Sequence, residues 1–148
     1  MKKREGLYRL LYVSDYVPSA ACDLGTIIEK SRAFNGKHRI TGALWFDGEH
    51  FIQLLEGGKE ELNAVFQRII NSPCHTDVDI ICFQNSPERL YTDWVMSYLG
   101  SECHNRDVAE QFAGGPDLCL RSLPSSTLIE MLHFLEEERQ GHLARSVG

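Results

Sequence analysis

Two apolar runs, Ile40 to Phe46 and His50 to Leu55, flank the tripeptide Asp47-Gly48-Glu49. An Asp-Gly pair between such runs is the strongest short-range hairpin signal a sequence carries, because tight hairpin turns need a positive φ that glycine adopts freely. Two antiparallel strands are therefore expected near the middle of the chain, and the rest must pack around them. Upstream, Leu7 to Ser14 is rich in strand formers and stops at Asp15, with Pro18 close behind. Asp23 then reads as the N-cap of a helix in which Leu24, Ile27 and Ile28 lead to Phe34 and a stop at Asn35-Gly36. Downstream, Glu56-Gly57-Gly58 ends the hairpin, and Leu62, Val65, Phe66, Ile69 and Ile70 recur at helical steps until Asn71-Ser72-Pro73. Val78 to Phe83 and Trp94 to Leu99 read as two further strands, separated by Asn85-Ser86-Pro87 and closed by Gly100.

The order βαββαββ points to an α+β fold of ferredoxin-like type: a five-stranded mixed sheet with two helices on one face, followed by C-terminal helices. After Gly100 the pattern changes. Asn105 to Phe112 suits a short helix, Gly114-Gly115-Pro116 breaks it, and Leu123-Pro124-Ser125-Ser126 introduces a longer one. There Leu128, Met131, Leu132 and Leu135 share a face that must pack on the open side of the sheet, a second copy or a partner, while Glu136-Glu137-Glu138 is expected to be solvated. The division is thus residues 1–100 and a helical extension, residues 101–148.

A chain of 148 residues with one such pattern buries an adequate core without staples. Its net charge of −6 argues against nucleic acid as a direct partner, which would require clustered Lys and Arg. No apolar run is long enough to span a bilayer and no signal peptide is recognisable, so a cytoplasmic protein without membrane contact is expected. The five cysteines, Cys22, Cys74, Cys82, Cys103 and Cys119, are odd in number, form no CxxC pair and lack the spacing of a metal site. Unligated thiols and no metal are expected.

Tyr12 and Ser14 are two apart on the first strand and so face one side of the sheet. Gln53 lies inside the apolar run Phe51-Ile52-Gln53-Leu54-Leu55. Buried, its amide would need partners such as a phenol or the edge of a heteroaromatic ligand. On strand chemistry alone, a glutamine facing solvent is the simpler expectation.

Taken together, Leu11-Tyr12-Val13-Ser14, Asn35 ahead of Ile40-Thr41-Gly42, Phe51-Ile52-Gln53-Leu54-Leu55-Glu56-Gly57 and Asp93-Trp94-Val95-Met96 resemble the BLUF family, with its ITG and QxLEG signatures. The resemblance extends from about Leu7 to Leu99. It implies a blue-light photoreceptor with non-covalently held flavin, FAD or alternatively FMN. Tyr12 would donate an electron and a proton, Gln53 would bridge Tyr12 to the ring, and Asn35 would bond the ring's polar edge. Trp94 and Met96 match the fifth-strand pair that responds to light. Ser31, Arg32, Arg68 and His75 lie where relatives touch the ring, ribityl chain or phosphate. Ile27, Phe51 and Leu55, with Ile28, Leu44 and Leu54, are candidate apolar contacts for a ring with polar groups along one edge. The resemblance further implies a photosensor without its own effector enzyme, acting on a downstream signalling protein and often as a homo-oligomer. The competing expectation is a ferredoxin-like regulatory module that binds another ligand, since fold does not fix function. An acylphosphatase-like hydrolase is disfavoured because no Gly-rich phosphate loop precedes the first helix.

Overall fold

The computed structural model describes residues 6–91, 96–116 and 119–147, with side chains of the last helix described up to residue 141. Strand β1 (Leu7–Tyr16) leads to helix α1 (Leu24–Lys37), the hairpin β2 (Thr41–Phe46) and β3 (His50–Gly58), helix α2 (Lys59–Ile70), β4 (His75–Asn85) and β5 (Ser97–Leu99). Helices α3 (Glu102–Ala113) and α4 (Ser125–Val147) follow, separated by a 3₁₀ turn, Leu120–Ser122. Asp23 caps α1 as expected, accepting from Thr26 N at 3.1 Å. Gly114 ends α3 at φ 83°, a left-handed position that glycine fills without strain. Strand β4 begins three residues before the expected Val78. The expected start of the fifth strand at Trp94 lies outside the described residues.

The sheet runs β4-β1-β3-β2-β5, antiparallel except for the β2–β5 pair. This is the ferredoxin-like order with a parallel strand added at the β2 edge, the mixed sheet the sequence implied. Its register puts Tyr12 directly across from Gln53, and Gln53 across from Leu44. Because side chains alternate across a sheet, these residues share one face. That face carries Leu10 and Leu55 against Leu62 and Val65 of α2, and Leu44, Phe46 and Phe51 against Leu24, Ile27 and Ile28 of α1.

The opposite face holds Leu11, Val13, Ala43, Trp45, Ile52 and Leu54. Leu128, Met131, Leu132 and Leu135 of α4, with Val108 and Ala109 of α3, pack on it. Of the three destinations open to the α4 stripe, the chain uses the sheet's own open face. Two expectations fail in this region and at the chain's cysteines. Glu136 is only 6% exposed, not solvated: its carboxylate accepts from Ser97 Oγ at 2.6 Å and from Arg139 Nη2 at 2.6 Å, and Gln140 adds a third donor. Burial by itself would raise its pKa, but these donors outweigh burial and hold the carboxyl below the usual range. Cys22 and Cys74 are not free thiols but a disulfide, Cα–Cα 5.4 Å, closing 52 residues of sequence; Cys82, Cys103 and Cys119 are free.

Candidate functional site

Between the α1/α2 layer and the sheet lies a cleft of about 200 Å³. Ile27, Ser31 and Asn35 reach it from α1 at four-residue steps, one stripe of the helix. Val65, Arg68 and Ile69 line it from α2, Gln53 forms part of its floor, and Cys22, Cys74 and His75 stand at its loop end. Its walls are thus largely apolar, with a few placed polar groups.

Gln53 is 5% exposed, so the solvent-facing expectation fails. Its run is buried on both faces because α1/α2 cover one side of β3 and α3/α4 the other. Tyr12 O–H donates to Gln53 Oε1, and Gln53 Nε2 points at Met96 Sδ, 3.1 Å away. A thioether is a weak acceptor and the amide nitrogen carries two donors, so Gln53 keeps a donor for a ligand edge in the cleft. Tyr12 is fully enclosed, and burial pushes its phenol pKa well up, which keeps it protonated. Ser14 Oγ and His75 Nδ1 share a hydrogen bond of 2.9 Å, and the His75 ring lies edge-on to Tyr12 and 4.7 Å from Phe51.

The structure brings together Ile27, Ser31, Asn35, Gln53, Arg68 and His75 on the cleft wall, with Tyr12 and Met96 directly behind Gln53. Phe51 and Leu55 flank Gln53 on the same face but sit in the packed core. Arg32 stands off the wall and donates Nε to the Met96 carbonyl at 3.2 Å. Arg68 lies with its guanidinium 4.1 Å from the centre of the Phe34 ring, joining α2 to α1. Leu54, expected as a wall, points to the opposite face, as the two-residue period after Gln53 requires. Trp94 lies outside the described residues. Thr26, Lys30, Val65 and Ile69 line the cleft without having been singled out. Their signal was present: Lys30 is three residues from Ile27 and Val65 three from Arg68, while Thr26 and Ile69 follow at four residues from Lys30 and Val65. The cysteine pair gave no local signal.

The profile of the BLUF family, described as sensors of blue light using FAD, matches residues 7–97. The chain belongs to the BLUF family. It is 32% identical over 98 residues to photoactivated adenylate cyclase subunit beta of Euglena gracilis, covering 65% of this chain and 11% of that one. It is also 32% identical over 73 residues to the blue light- and temperature-regulated antirepressor BluF of Escherichia coli, covering 49% and 18%. The chain therefore spans less than a fifth of these curated relatives. Among solved structures, the photo-activated state of BlsA superimposes with a TM-score of 0.76 at 25% identity, covering 87% of this chain and 94% of that one. The cleft fits the BLUF cofactor on its own geometry. It offers apolar side chains to the faces of a flat ring, the buried Asn35 and the spare Gln53 donor to its polar edge, and Lys30 and Arg68 to an anionic tail. Among the described residues, no helix is long and apolar enough to cross a membrane and no cluster of His, Cys, Asp and Glu could hold a metal ion.

Proposed function

We propose that this BLUF chain senses blue light through FAD, with FMN as the alternative, held by Ile27, Ser31, Asn35, Gln53, Arg68 and His75. The observation that carries the reading is the hydrogen-bonded series Tyr12, Gln53, Met96 at the floor of the cleft. When bound, the flavin supplies light absorption and an excited state that accepts an electron and a proton. Tyr12 provides both: its proton already lies on the bond to Gln53 Oε1, and its raised pKa ties loss of the proton to loss of the electron. Both return to Tyr12, so the net chemistry is nil. Gln53 comes back with its hydrogen bonds rearranged, and an amide oxygen turned toward Met96 could no longer donate to Sδ.

The change leaves through Met96 into the first residue of β5. Met96 faces Gln53, while the next residue, Ser97, lies on the other face and bonds Glu136 of α4. One step along the backbone thus joins the cleft to the C-terminal extension, residues 101–148, leaving residues 1–100 as the sensor. The output is contact with a downstream signalling protein, or within a homo-oligomer, in the cytoplasm and without an effector enzyme in this chain. The relatives' descriptions as a photoactivated cyclase subunit and a light-regulated antirepressor support regulation as the outcome. The test is a visible spectrum before and after blue light. Wild type should be yellow with a small reversible red shift, and Gln53→Leu should keep the flavin without the shift. A protein that takes up no FAD, FMN or riboflavin, or a Gln53→Leu variant that shifts normally, rejects the reading.

A further inference from the structure

The Cys22–Cys74 bridge joins the loop between β1 and α1 to the loop between α2 and β4, and both cysteines line the cleft. Their backbones are anchored to the sheet: Tyr16 O–H donates to the Cys22 carbonyl at 2.5 Å, and Val17 N–H to the Cys74 carbonyl at 2.9 Å. Cys22 is fully buried and Cys74 is 8% exposed, so the bridge is screened from bulk solvent and borders the cleft. A molecule in the cleft and a reductant approaching the sulfurs therefore compete for the same space. The bridge is also the covalent closure between α1 and α2 at this end.

We propose that Cys22–Cys74 is a dithiol–disulfide redox site that gates the flavin cleft, the disulfide retaining the occupant and the occupant shielding the disulfide. The proposal rests on the flavin reading above. The co-reactant is a small dithiol or a dithiol protein. Its thiolate attacks Cys74 Sγ, on the less buried of the two residues, forming a mixed disulfide and releasing Cys22 as a thiolate that takes up a proton. The reductant's second thiolate then attacks its own sulfur in the mixed disulfide and frees Cys74. Two electrons and two protons pass to the cysteine pair, and the reductant leaves as its disulfide. Reduction unties the two loops while their hydrogen bonds to the sheet keep the fold. Because binding couplings are reciprocal, flavin bound more tightly by the bridged form must in turn make the bridge harder to reduce.

The experiment equilibrates the whole chain in a series of buffers of reduced and oxidised dithiothreitol at varied ratio, with and without saturating FAD, and counts alkylated Cys22 and Cys74 by peptide mass. FAD affinity is measured on the fully oxidised and fully reduced protein, with circular dichroism as a check on folding. The pair should pass from disulfide to dithiol across the series, FAD should move that transition toward more reducing buffers, and the oxidised protein should bind FAD about tenfold more tightly. The Cys22→Ser, Cys74→Ser double variant should show the weaker affinity under both conditions. A pair that stays bridged or stays reduced throughout, or reduction that unfolds the chain, overturns the proposal. Equal FAD affinity in both redox states overturns the gating alone. No flavin uptake in either state rejects the flavin reading together with the gating.

Discussion

His75 is the side chain at the cleft that burial keeps neutral through mild acid. Burial pushes its pKa down to about 4, below the ordinary imidazole value of about 6.5. A histidine held neutral in the folded state is protonated first in the unfolded chain, so acid favours unfolding. Its contribution to stability is fully present above about pH 6.5, declines as pH falls toward 4, and is lost below that. The difference between the two pKa values corresponds to about 3 kcal/mol. Denaturant midpoints of wild type should fall across this window and those of His75→Asn should lack that slope, so the two curves should separate progressively as pH falls from 6.5 to 4, wild type losing about 3 kcal/mol relative to the variant. Parallel curves would mean that His75 titrates alike in both states. The same desolvation acts on Tyr12 in the opposite direction, since there the neutral form is the protonated one.

The hairpin owes its close approach to Gly42. A Cβ on Gly42 would lie 2.0 Å from the Leu54 carbonyl oxygen, a backbone atom that cannot move aside without breaking the β2–β3 ladder. Gly42→Ala should therefore cost about 3 kcal/mol, at the upper end of overpacking penalties, and lower the denaturant midpoint accordingly. A midpoint within 0.5 kcal/mol of wild type, as for an ordinary surface change, would refute the clash. Glu56, in the same hairpin, is a second case of long-range constraint. It is fully buried, yet its carboxylate accepts from the backbone N–H of Leu90 at 2.8 Å and of Tyr91 at 2.9 Å and pairs with Arg9 at 3.3 Å. Arg89 fastens the same segment, bonding Thr41 Oγ1 at 2.7 Å and the Glu56 carbonyl at 2.8 Å. The hairpin thus anchors the stretch that precedes β5.

At the scale of the molecule, the sheet separates two layers, and the start of β5 links them, with Met96 just before the strand on one side and Ser97, its first residue, on the other. If that link transmits light, hydrogen exchange in residues 125–141 should differ between dark and illuminated wild type. Ser97→Ala should keep the red shift and lose the difference; equal exchange in both states of wild type would remove α4 from the route. The element order and the Tyr12 and Gln53 candidates were legible in the sequence, because strand and helix periods are local and the hairpin turn is encoded by adjacent residues. Gln53 could be located but not oriented, since a strand buried on both faces reads as one apolar run until its two coverings are known. The destination of the Leu128 to Leu135 stripe stayed open for a related reason: a helical period defines an apolar face but not what covers it. The burial of Glu136 was misread because its partner Ser97 lies 39 residues away. The Cys22–Cys74 bridge was misread because 52 residues separate cysteines that the β1–α1 and α2–β4 loops bring together. Local spacing determined the elements of this protein; which distant groups shed water together, and so which charges and thiols found partners, was decided only when the sheet closed its register and both layers packed on it.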